Sequence, residues 1–99
     1  MLHTVNKSPA ESNKLENCLQ FVQPGHAVLL LENAVYAALK DSEMAAQLLD
    51  LSPEINVYVL IPDLAARGLQ GKAINPEIKQ IGYPDFVRLA TENEIVQSW

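Results

Sequence analysis

Two stretches decide the fold: Ala27-Val28-Leu29-Leu30-Leu31 and Val57-Tyr58-Val59-Leu60-Ile61. Side chains of a strand point alternately to its two faces, so a strand with one wet face alternates apolar and polar residues. Neither run alternates. An unbroken apolar run of this length suits a strand covered on both faces, as in a parallel sheet. Between the two runs, Asn33 is placed to cap a short helix over residues 34–39. Ser42 is placed to cap another, with Met44, Leu48 and Leu51 at i, i+4 and i+7 and Pro53 closing it. Upstream, Leu2 to Val5 reads as a short strand. Ser8-Pro9-Ala10-Glu11 then matches a capping box with proline at the first helical position. The helix it opens is expected to run to about Val22, with Leu15, Cys18, Leu19 and Val22 on one face, and Gln23-Pro24-Gly25 stops it. Downstream, Pro62 ends the second run, and Asp63 to Arg67 predicts one helical turn closed by Gly68. Ile78 to Ile81 is a weaker fourth strand. Asp85 can cap a last helix with Phe86, Leu89 and Ala90 inward, and the tail to Trp99 shows no clear pattern.

Strands separated by helical segments imply right-handed crossovers. The expected fold class is therefore α/β, a small and mostly parallel sheet with helices on both faces. A chain of 99 residues, 48% of them hydrophobic, has room for one core, so residues 1–99 read as a single domain. Seven Lys and Arg against twelve Asp and Glu leave a formal net charge of −5. That balance opposes binding to a phosphate backbone or to an anionic membrane surface. The longest apolar run, residues 34–39, is six residues, where a membrane span needs roughly 20. The opening Met1-Leu2-His3-Thr4 lacks the pattern of a secretory signal, and the single cysteine cannot form a disulfide within the chain. A cytoplasmic location is expected. So small a domain buries a smaller share of its surface, and association with partner subunits is expected as well.

Motifs for phosphate or dinucleotide binding are absent, as is any G-x-S-x-G, so no cofactor is implied. Gly68-Leu69-Gln70-Gly71 reads as turn geometry. His3 and His26 have no partner at metal-ligand spacing, and each reads as a hydrogen-bonded or exposed side chain, so no metal is implied. Asp41, Glu43, Asp50 and Glu54 form an acidic stretch without a basic residue. It reads as a solvated helical face, with a docking surface for a basic partner as the other possibility. Cys18 is the one side chain with intrinsic nucleophilic potential. Its periodicity with Leu15, Leu19 and Val22 places it as a buried small hydrophobe, whereas Lys14, four residues earlier, could favour a thiolate.

The opening Met1-Leu2-His3-Thr4-Val5-Asn6-Lys7-Ser8-Pro9 resembles the start of the DsrH/TusB family of sulfur-relay subunits. Asp63-Leu64-Ala65-Ala66-Arg67-Gly68-Leu69, Asp85-Phe86-Val87-Arg88-Leu89 and the tail Gln97-Ser98-Trp99 are similar to that family too. The four matches run in order over essentially the whole chain, and none is a catalytic signature. The resemblance implies a DsrE-like fold and a heterohexamer with DsrE/TusD-like and DsrF/TusC-like subunits. It implies a TusA-like sulfur donor and a DsrC/TusE-like acceptor reached through the complex. Sulfur would move as a persulfide between cysteines, toward sulfur oxidation in the Dsr branch or toward 2-thiouridine at the tRNA wobble position in the Tus branch. The main active cysteine would belong to a partner chain. Cys18, within Leu15-Glu16-Asn17-Cys18-Leu19, is similar to a first-helix cysteine of DsrH-type chains and is the candidate persulfide carrier, and with the Asn6-Lys7-Ser8-Pro9 form it favours the DsrH-like branch; a purely structural TusB-like role is the alternative, as is an unrelated small α/β binding domain.

Overall fold

In the computed structural model, which describes residues 1–99, the two fully apolar runs supply neighbouring central strands up to Leu30 and Leu60, while Leu31 lies beyond its strand and Ile61 with Pro62 already opens the next helix. The elements are β1 (Leu2–Val5), α1 (Lys14–Phe21), β2 (Ala27–Leu30), a 3₁₀ helix (Glu32–Ala38), α2 (Ala45–Leu49), β3 (Asn56–Leu60), α3 (Ile61–Ala66), β4 (Lys79–Ile81), α4 (Tyr83–Glu92) and β5 (Val96–Ser98). The sheet order is β4-β3-β2-β1-β5, and every pairing is parallel.

That order dictates the layers. From β1 to β4 the chain steps across the sheet in one direction, so right-handed crossovers stack their helices on one face. From β4 it returns across the whole sheet to β5, in the opposite direction, which sends α4 to the other face. The core divides accordingly. Sixteen buried residues form the larger cluster: Val5, Val28, Leu30, Val57 and Val59 from the strands meet Leu15 and Cys18 of α1, the alanines and Val35 of the 3₁₀ helix, Leu48 and Leu64. The alternate strand positions Leu2, Ala27 and Leu29 turn the other way and join Ile81 and Leu89 in a cluster of five, against which Phe86 packs.

The sequence undercounts the strands. There are five, not four: Val96–Ser98 pairs with β1 at the register Leu2↔Val96 and forms an edge whose residues are all exposed. An exposed three-residue edge has no inward apolar position to announce it. The first helix also starts later than expected. Ser8 to Ser12 form an isolated turn through Glu11 N–H and Ser12 N–H to Ser8 O, and α1 begins at Lys14. Half of the capping box exists: the Ser8 amide donates to Glu11 Oε1 at 2.9 Å, but no side chain caps α1 at Asn13. Asn33, Ser42 and Asp85 do not cap helices either. Asn33 accepts from Arg67, Ser42 donates to Ala37 O, and Asp85 pairs with Arg88. The α3 terminus follows its sequence signal closely. Gly68 takes φ +68, its amide donates to Ala65 O, and the Leu69 amide donates to Leu64 O. This is the double bond pattern of a glycine-terminated helix, with Leu64 and Leu69 both buried beneath it.

Candidate functional site

Cys18 sits on the inner side of α1 and is 0% exposed, within the larger core cluster. Burial alone pushes its thiol up to about 12. Lys14 lies on the exposed side of the same helix and does not offset that burial. At such a value roughly one thiol in 10⁵ is ionised at pH 7, and a thiol, unlike a thiolate, is a weak nucleophile. None of the surface cavities is lined by Cys18.

Two polar constellations sit at opposite ends of the strands. At the amino end, β1 and the turn before β2 bring His3 and His26 together, with Nε2 of His3 3.1 Å from Nδ1 of His26. The sequence separates these histidines by 23 positions; the parallel pairing of His3 with Val28 makes them neighbours. His3 is fully buried, and its second nitrogen, Nδ1, accepts from Trp99 Nε1–H at 3.1 Å. His26 Nδ1 also accepts from the Gln23 amide at 3.2 Å. Phe21, at the end of α1, stacks edge-on against both His3 and Trp99 at about 6 Å. Burial, then the neighbouring His26 and the Met1 amino group, hold the His3 pKa below its ordinary 6.5. The reading of both histidines as hydrogen-bonded side chains therefore describes them well. Their link to Trp99 is the part that sequence spacing misses, because it spans 96 positions and depends on the unseen β5.

At the carboxyl end, the chain leaves β2 through Glu32 at φ +50, an unusual conformation for a residue with a side chain. The Glu32 amide is aimed by this turn at Asp63 Oδ2, 2.6 Å away at the start of α3. Arg67 spans the same region. Its Nε–H donates to Asn33 Oδ1 at 2.9 Å and its Nη1 to Asp63 O at 3.1 Å. The Ser8 amide, then the Asn33 side chain, hold the Glu11 carboxyl below the usual carboxylate range. This network ties the loops after β1, β2 and β3 together. It uses Asp63, Arg67, Ser8 and Glu11, which all fall in or beside the stretches that carry the family resemblance. A cavity of about 360 Å³ opens beside it, lined by Ser8, Pro9, Ala10, Tyr36, Ser42 and Glu43. No group of three His, Cys, Asp or Glu side chains is placed to hold a metal ion. The acidic residues Asp41, Glu43, Asp50 and Glu54 are all exposed and make no ion pair, as a solvated face would be. No helix is long and apolar enough to cross a membrane.

The solved structures most similar in shape include the ychN protein from E. coli, with a TM-score of 0.80 over 99% of this chain and 97% of that one, at 17% identity. A protein of unknown function, MTH1491 from Methanobacterium thermoautotrophicum, gives 0.76 over 99% and 96%, at 15% identity. At these identities the likeness concerns the fold. Sequence similarity reaches further. Protein TusB of Erwinia tasmaniensis is 41% identical over 99 residues, covering the whole of both chains, and Protein TusB of Shigella flexneri is 38% identical over the same span. The family model of DsrH-like proteins matches residues 7–96. With full-length relatives, a family match over nearly all its residues and the expected α/β architecture, this chain belongs to the DsrH/TusB family.

Proposed function

We propose that this chain is an assembly subunit of a sulfur-relay complex, held with DsrE/TusD-like and DsrF/TusC-like subunits in the cytoplasm, where the reactive persulfide is carried by a partner. Family membership supports the relay. The observation that carries the subunit's role is the sealed, un-ionised thiol of Cys18. Persulfide transfer needs thiolate attack on a sulfane sulfur and release of the donor's thiolate. A thiol with no path to solvent and a pKa near 12 is suited to neither step. Assembly, by contrast, has a surface to work with. Tyr83 and Val87, one turn apart on α4, and Ile95 and Val96 at the entry to β5 are large apolar side chains left in water by the single chain.

The full-length relatives bear the TusB name and favour the tRNA-thiolation branch over sulfur oxidation. Transfer would then run from a TusA-like donor to a TusE-like acceptor through the assembled complex, without contact between this acidic chain and nucleic acid. A carrier role for Cys18 remains the second reading, and it requires α1 to lift off the sheet in the complex.

One experiment separates the two readings. The chain is co-expressed with its DsrE- and DsrF-like neighbours, the purified complex is treated with a persulfide donor, and each subunit is weighed intact. The expected result is co-purification, with a gain of about 32 mass units, one sulfur, on a partner and none on this chain. A gain on this chain that disappears with Cys18→Ser establishes the carrier reading. Failure of the chain to join any partner removes the assembly reading.

A further inference from the structure

The indole of Trp99 fixes the protons of two histidines. An indole N–H can only donate, so Nδ1 of His3, 3.1 Å away, must present its lone pair. Neutral His3 then carries its proton on Nε2, aimed at Nδ1 of His26 at 3.1 Å. His26 Nδ1 accepts that bond and a second from the Gln23 amide, so the proton of His26 is on its Nε2. The chain Trp99→His3→His26 works in one protonation state. A second proton on His3 sets Nδ1–H against the indole N–H. A second proton on His26 sets Nδ1–H against both His3 Nε2–H and the Gln23 amide. Either one replaces a hydrogen bond with two opposed donors.

The surroundings reinforce the neutral state. From just before β1 comes the Met1 amino group, and from the turn before β2 comes His26; both oppose a positive charge on His3. From α1 the neighbour is Phe21, and from the end of β5 it is Trp99, and neither ring titrates near neutral pH. No ion pair links a carboxylate to either imidazole. What the bond holds is also clear. β5 is three residues long, wholly exposed and paired with β1 alone. Apart from that ladder, the strand is secured by Leu2 N–H to Ile95 O at its entry, by the Thr4 hydroxyl to Ser98 Oγ at 3.4 Å, and at its exit by Trp99 N–H to Thr4 O, the indole bond to His3 and the packing of Trp99 against the larger core cluster.

We propose that His3, His26 and Trp99 form a proton-released latch that fastens β5 to the sheet, so that acidification frees β5 and uncovers the outer edge of β1. The inference is independent of the sulfur-relay reading. His3 has a folded-state pKa below its ordinary 6.5, so the stability it contributes is fully present above 6.5 and is lost as the pH falls through the lowered value.

Trp99 is the single tryptophan, so indole fluorescence of the full chain reads the latch directly. Lowering the pH from about 8 to about 5 should quench and red-shift the emission in one reversible step centred below the ordinary histidine range. Amide protection at Gln97 and Trp99, whose amides face β1, should fall by about tenfold over the same step while β2 and β3 keep theirs, as for a local opening. His3→Phe should remove the step. No step short of global unfolding, or an equal step in His3→Phe, overturns the proposal. Should that variant fail to fold, the imidazole ¹⁵N spectrum of the unaltered chain at about pH 8 decides: a proton on Nε2 alone of His3 is expected, and one on Nδ1 overturns the latch.

Discussion

The two faces of the sheet are built to different depths. One is covered by α1, the 3₁₀ helix, α2 and α3 and holds sixteen buried residues; the other is covered by α4 alone and holds five. The same strands supply both, position by alternate position, so strand composition does not cause the difference. Topology does. Three successive crossovers in one direction pile their helices on the first face, and the one returning crossover leaves the second face with one helix and exposed Tyr83 and Val87 upon it. The first face therefore carries most of the stability of the single chain. Both layers keep apolar side chains in water: Phe21, Tyr36, Leu49 and Ile61 on the first, Tyr83 and Val87 on the second.

The largest expected effect tests that division. Leu30→Ala, at a fully buried position of the central strand on the thick face, should cost about 4 kcal/mol by lost burial and an uncollapsed cavity. Leu89→Ala, under α4 on the thin face, should cost about 2 kcal/mol, since fewer neighbours surround it and α4 can settle toward the sheet. Urea denaturation of the two variants, with unchanged slopes, measures both. Equal losses would show that α4 is as tightly packed as the four-element layer and would end the comparison.

Cys18 sharpens it next. Deep in the thick face, its sulfur behaves as a small hydrophobe. Cys18→Ser should cost about 2 kcal/mol, because a hydroxyl replaces the thiol where no hydrogen-bond partner waits, whereas Cys18→Ala should cost nearer 1 kcal/mol. Under native conditions the thiol should resist a maleimide and label once denaturant is added. Rapid native labelling would mean that α1 opens, and the ranking Ser worse than Ala would then be expected to vanish as well.

The sequence made the thick face far easier to read than the thin one. Ala27 to Leu31 and Val57 to Ile61 are apolar at both parities, and this forces burial on both sides whatever the neighbours are. The Leu15–Cys18–Leu19–Val22 stripe and the Gly68 stop are local signals with local causes, and both correspond to the structure. β5 is different. Val96, Gln97 and Ser98 bury nothing, and their pairing with β1 comes from a crossover spanning the sheet. The His3–Trp99 bond inherits that invisibility. At the carboxyl end, Asp63 and Arg67 stood out only through family resemblance. Their roles depend on a left-handed Glu32, which no rule of composition anticipates.

A smaller effect is expected where the thick face ends α3. Gly68 has φ +68, and a Cβ there would meet nothing within 4 Å, so an added side chain suffers backbone strain without a clash. Gly68→Ala should cost about 1 kcal/mol. A denaturation midpoint as high as that of the unaltered chain would mean that the Leu64–Leu69 contact alone fixes this terminus.

The smallest expected effect is at Ser8, where the sequence pattern predicts a helix cap and the structure forms a separate turn. In a complete capping box the serine hydroxyl accepts from a helical amide, and its loss costs about 1 kcal/mol. Here α1 starts at Lys14, beyond reach, and the hydroxyl serves no amide of that helix. What remains of the box is chiefly the bond from the Ser8 main-chain amide to Glu11 Oε1, which alanine keeps; the Ser8 hydroxyl adds only the weakest of the contributions to that carboxylate. Ser8→Ala should therefore change stability by less than about 0.5 kcal/mol, the range of surface substitutions without a special role. The Glu11 carboxyl provides an independent reading. Its pKa is lowered chiefly by that amide, so its contribution to stability is present above the ordinary carboxylate pKa and is lost as the pH falls through the lowered one. An NMR titration of Glu11 should still show the lowered value in Ser8→Ala. A loss of about 1 kcal/mol, with the Glu11 pKa returning to its ordinary range, would instead restore the serine as the organising residue and move the start of the first helix back to Pro9.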